Sequence, residues 1–136
     1  MAEIMHRIQV NASPAQVFDA LTDQAALGGW FSRAREVDRL AELRFGRDKV
    51  VAQVRVQELQ KSARIVWQCV GGPSDWIGTD ITFDLAPEGN DTVVRFRHRN
   101  WKEASDFMGH CSTEWAYFLL RLKSVVETPE PDDVLI

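Results

Sequence analysis

WKEASDFMGHCSTEWAYFLLRLKSVVE, residues 101–127, decides the fold. Apolar residues recur at Ala104, Met108, Cys111, Trp115, Phe118, Leu119, Leu122, Val125 and Val126. Spacings of three and four put them on one stripe of an α-helix. Glu103 and Asp106 stand early, Arg121 and Lys123 late, the order that suits the helix macrodipole. Asn100 followed by Glu103 reads as an N-terminal cap. Gly109 marks a place where the helix kinks or begins. A stripe this broad requires an apolar surface to lie against, and the rest of the chain must supply it.

Upstream, that surface reads as strands. Ile4, His6, Ile8 and Val10 alternate with Glu3, Met5, Arg7 and Gln9, the period of a half-buried strand. Ser13-Pro14-Ala15-Gln16 opens a short helix with a capping box and a first-turn proline, its buried face Val17, Phe18 and Leu21. A second short helix is expected from Thr22 or Asp23 to the stop at Gly28-Gly29. Alternation then recurs at Ala41–Phe45, Val50–Val56, Ile65–Cys69, Ile77–Leu85 and Val94–His98. Turns at residues 46–49, 71–74 and 87–91 separate these strands. Short connections favour an antiparallel meander. The expected order is β-α-α-β-β-β-β-β-β-α, an α+β two-layer fold with a curved sheet around the last helix. Residues 1–127 read as a single domain and 128–136 as a tail.

The chain's 136 residues suffice for one domain with a core, and 45% of them are apolar. Net charge is −4 without a Lys/Arg block, which argues against nucleic acid. No apolar run approaches the ~20 residues of a membrane helix, and MAEIMHRIQV has no signal-peptide core. A cytoplasmic location is therefore expected, with Cys69 and Cys111 as reduced thiols.

The order of elements and several short stretches resemble the START-like (SRPBCC) superfamily, the helix-grip fold, and within it the branch named after the activator of heat-shock-protein ATPase. The stretches are His6-Arg7-Ile8 with Ser13-Pro14, Ala20-Leu21-Thr22, Trp30-Phe31, Val66-Trp67, Gly78-Thr79 with residues 81–85, and residues 98–127, which include His98-Arg99-Asn100-Trp101 and Trp115. Pro131-Asp132-Asp133-Val134 is similar to the family's tail. Asp38-Arg39-Leu40 departs from the family's glycine-bearing turn, and the tail lacks the usual glycines.

The resemblance implies a cavity between sheet and helix. Strand parity nominates Phe45, Val54, Trp67, Cys69, Thr79, Ile81, Phe83, Phe96 and His98 as its lining, joined by His110, Trp115 and Phe118 of the helix, with Trp30 and Phe31 at the mouth. The same side chains also suit a solid core. His98 has two readings, a ligand-orienting or acid/base group and a structural histidine bonded to backbone. No close metal-ligand spacing exists, Cys111 sits on the apolar stripe, and no catalytic set or cofactor is expected. A small hydrophobic ligand is the expected partner. A co-chaperone-like protein contact and a cyclase- or dehydratase-type enzyme using His98, with Tyr117 or Asp106 as helper, are the alternatives. An exposed sheet edge suits a homodimer.

Overall fold

The computed structural model describes residues 1–22, 31–35, 40–45 and 50–127. Its strands are β1 (Ala2–Val10), β2 (Phe31–Arg35), β3 (Leu40–Phe45), β4 (Val50–Gln60), β5 (Arg64–Gly71), β6 (Asp80–Glu88) and β7 (Asp91–Trp101). Helix α1 (Pro14–Thr22) follows β1, and α2 (Asp106–Glu127) closes the described chain. The sheet runs β1-β7-β6-β5-β4-β3-β2, antiparallel at each step. Consecutive strands are neighbours from β2 to β7, as the short turns require. β1 returns to pair with β7, and α1 occupies the crossing. This is the helix-grip α+β architecture. The second short helix and the tail fall outside the described residues.

Local chemistry accounts for the elements. Ser13 and Gln16 cap α1 reciprocally: the Gln16 N–H donates to Ser13 Oγ at 3.2 Å, and the Ser13 N–H donates to Gln16 Oε1 at 2.9 Å. The inner face of the sheet buries Ile65, Trp67, Cys69, Ile81, Phe83, Phe96 and His98, against Cys111, Trp115, Phe118, Leu119 and Leu122 of α2. Helix α2 lies along β1 and against α1. His6 Nε2 donates to the Ser112 carbonyl at 3.1 Å, so β1 grips the middle of α2. At the helix's far end Lys123 donates to the Gln9 carbonyl and to Glu127, each at 2.7 Å.

Two sequence expectations need correction. Helix α2 begins at Asp106, not Trp101, and its cap is Ser105, whose Oγ accepts the Met108 N–H at 3.1 Å. Asn100 instead belongs to β7 with a left-handed φ of 74°. A short polar side chain tolerates that conformation better than most. Gly109 sits inside the helix, bonded to Ser105 O at 3.0 Å. Ser105→Ala should therefore cost about 1 kcal/mol, lowering the melting temperature by about 3–5 °C. The same change at Asn100 should leave α2 capped.

The second correction concerns β6, which starts at Asp80 rather than Ile77. Ile77 is 54% exposed, and Trp76 is fully buried in its place. Residues 72–79 make a compact loop that turns Trp76 inward, held by Trp76 N–H to Pro73 O and Thr79 N–H to Trp76 O, both 2.9 Å. The loop departs from β5 at Gly72, with φ 114° and backbone 2.7 Å from where a Cβ would stand. Only glycine fits there.

Candidate functional site

The sheet and α2 meet at His98. Its ring is fully buried, and both nitrogens are engaged. Trp115 Nε1–H donates to His98 Nδ1 at 3.1 Å. Thr79 Oγ1 lies 2.8 Å from His98 Nε2 and donates its own hydrogen to the Trp76 carbonyl at 2.6 Å. That spends the hydroxyl's one proton, so His98 carries its proton on Nε2 and donates it to Thr79. The relay runs from helix to strand to loop and ends on backbone. Burial pushes the imidazole pKa from 6.5 down to about 3, because losing water penalises the charged imidazolium. At neutral pH the ring is uncharged, with no free lone pair or mobile proton.

Aromatic rings surround this relay. Trp76 and Trp101 stand edge-on to His98 at 4.6 and 4.9 Å. Trp115 packs on Phe96 at 4.5 Å and Phe118 at 5.4 Å. Phe83 bridges Phe96 and Trp67 at 5.3 and 5.0 Å. Of the residues nominated from sequence, Trp67, Thr79, Ile81, Phe83, Phe96, His98, Trp115 and Phe118 are thus brought together. His110 is not: the turn of the helix that buries Cys111 leaves it exposed, stacked on Phe107 at 6.4 Å. Phe31 and Phe45 sit on β2 and β3, their side chains outside the description, as is Trp30 altogether. The helpers considered for an enzyme do not share the imidazole's burial: Tyr117 is 65% exposed and Asp106 is exposed at the start of α2. Cys69 and Cys111 are free thiols. Burial pushes them to about 12 and about 11, so neither is a thiolate at neutral pH.

Trp76 and Trp101 are the residues that parity missed. Trp101 is 1% exposed. Strict alternation from His98 would turn it outward. Instead β7 carries one extra residue there: Ile4 pairs with His98, but Ala2 pairs with Trp101. The left-handed Asn100 takes up that residue and re-aims Trp101 into the ring cluster. Its indole N–H is buried and finds no acceptor among the described residues. Half-buried Phe107, in the first turn of α2, stands 6.1 Å from the Trp101 ring.

Comparison with known proteins agrees with this architecture. The family model described as Activator of Hsp90 ATPase homolog 1-like protein matches residues 11–127. The Aha1 dimer from Colwellia psychrerythraea, a solution structure, is 38% identical over 93% of this chain and 97% of its own, with a TM-score of 0.80. MLL2253 from Mesorhizobium loti shares the fold at 14% identity, covering 93% of this chain and 97% of its own, TM-score 0.77. DynU16, a protein of the dynemicin biosynthetic locus, does so at 20% identity over 93% of this chain and 48% of its own, TM-score 0.74. The comparison with curated proteins found no match. With the match spanning nearly the whole of the described fold, the chain belongs to the Activator of Hsp90 ATPase homolog 1-like family.

Proposed function

We propose that the chain is a binding protein for a small hydrophobic molecule, taken up at the inner face where β7, the 72–79 loop and the first turn of α2 meet. The observation that carries this reading is the Trp101 indole N–H, a buried donor without an acceptor among the described residues. Leaving such a donor unmatched costs about 1–3 kcal/mol, and a β-bulge has turned it inward. Around it are the rings of Trp76, His98 and Phe107, a setting in which one placed donor gives a ligand its orientation. The ligand class is an apolar molecule with a single acceptor such as a carbonyl. Catalysis forms no part of the reading, because His98 is neutral and both its nitrogens are engaged.

A matched pair of probes tests it: a medium-chain methyl ketone and the hydrocarbon of equal length, each displacing the neutral dye Nile red. The parent should prefer the ketone by about tenfold, and Trp101→Phe should bind both alike. Absence of binding up to the probes' solubility, or an unchanged preference in Trp101→Phe, would sink the reading.

A second reading follows from the family. The relative at 38% identity is described as a dimer, and the family is named for an activator of a chaperone ATPase. By analogy this chain forms a homodimer and contacts a chaperone through its outer surface. Light scattering on the purified chain tests the first point. A pull-down that survives Trp101→Phe would favour the second.

A further inference from the structure

On the outer face of the sheet, opposite the aromatic cluster, Arg7 of β1 and Arg95 of β7 are direct cross-strand partners. Both are exposed. Like charges placed opposite each other work against strand pairing. Asp84, beside Arg95 on β6, is held by Arg64 at 2.8 Å. Glu3 reaches toward Arg97 at 4.0 Å. Asp91 accepts hydrogen bonds from Gln9 and Asn11. Among the described residues, neither Arg7 nor Arg95 has an ion-pair partner. This cationic patch stands on a chain whose net charge is −4.

The same place is concave. Met5, His6, Arg7, Arg95, Phe96 and Arg97 border a groove of about 290 Å³ along the β1–β7 seam. Met5, directly opposite Arg97, is 61% exposed. The patch therefore combines three guanidinium groups with one apolar side chain. Along each strand these same-face positions repeat every two residues, about 6.6–6.8 Å. An extended peptide presents its own side chains at that spacing.

We infer that this groove docks an extended acidic segment of a partner protein, with alternate carboxylates pairing with Arg7, Arg95 and Arg97 and an apolar residue resting on Met5. Arginine suits the role because its planar fork takes carboxylates in a bidentate geometry. The inference is independent of the inner-face ligand, since the two sites lie on opposite faces of the sheet.

Fluorescence anisotropy of a labelled hexapeptide Glu-Ser-Glu-Ser-Leu-Ser, which sets two carboxylates and one apolar side chain on the same face of an extended backbone, titrated with the full chain, tests it. The parent should bind saturably, and more weakly as salt is raised. The double variant Arg7→Gln/Arg95→Gln should bind about tenfold or more weakly. A peptide with Lys in place of Glu should not bind. No binding, an unchanged affinity in the double variant, or equal competition by inorganic phosphate would overturn the inference. So would preferential binding to phosphatidylserine vesicles. A thermal melt separates function from folding. With the cross-strand repulsion removed, the double variant should melt no lower than the parent, and a lower melting temperature would make the pair structural and defeat the proposal.

Discussion

Trp115→Ala should be the most damaging single change among the described residues, costing about 4 kcal/mol and lowering the melting temperature by about 12–20 °C. The side chain is fully buried. It packs on Phe96 and Phe118 and stacks near Trp76 at 6.0 Å. Its removal opens a cavity in the middle of the helix–sheet contact, and close-packed neighbours relax into such a cavity only partly. It also takes away the hydrogen bond that ties α2 to β7. Trp115→Phe separates the two losses: the ring contacts largely remain while His98 Nδ1 loses its donor, a cost of about 1–3 kcal/mol. Chemical denaturation of both variants checks the order. If Trp115→Ala proves as stable as Trp115→Phe, α2 is not fastened to the sheet here.

The second large effect is on acid stability. His98 has a pKa near 3 in the folded chain and about 6.5 unfolded. Below pH 6.5 the unfolded chain therefore takes up a proton that the folded chain refuses, and stability falls as pH drops from 6.5 toward 3. The slope approaches 1.4 kcal/mol per pH unit between the two values, about 4 kcal/mol from pH 6.5 to 3. Between pH 6.5 and 5, above the ordinary carboxylate range, the loss should be about 2 kcal/mol. His98→Gln starts from lower stability but should lack this slope. Urea unfolding at several pH values measures both. Equal slopes in parent and variant would mean that His98 is not the neutral buried group described above.

Much of this was legible in the sequence, because most of it is local. The Ser13/Gln16 capping box sits where the residues placed it, the alternation in β5 to β7 buries the side chains it nominated, and the stripe on α2 faces inward from Cys111 onward. The fold could be read from those patterns, and the family from the resemblance carried by the short stretches such as His98-Arg99-Asn100-Trp101. What could not be read are the points where the backbone leaves its period. Parity carries Trp101 outward, and one left-handed residue at Asn100, fixed by pairing with β1 across the whole chain, turns it inward. Trp76 falls between the expected turn at 71–74 and the expected strand from Ile77, and the close approach of Gly72 to β4 allows the loop to fold it back beside His98. Asn100 with Glu103 has the spacing of a cap, but Asn100 lies in the end of β7, and the helix is capped by Ser105 instead. Both missed tryptophans stand beside His98, so the centre of the site was visible while half its wall was not.

The proposed inner-face site rests on one atom, the Trp101 indole nitrogen, and that atom can be watched directly. Five tryptophans give five side-chain N–H resonances in a ¹⁵N-resolved spectrum, assignable by single Trp→Phe changes. Titration with the medium-chain methyl ketone should move the Trp101 indole N–H furthest, in the direction of a newly formed hydrogen bond, and should leave Trp115, already bonded to His98, much less affected. A Trp101 signal that stays in place while the ketone saturates the protein, or a response confined to other tryptophans, would contradict the account.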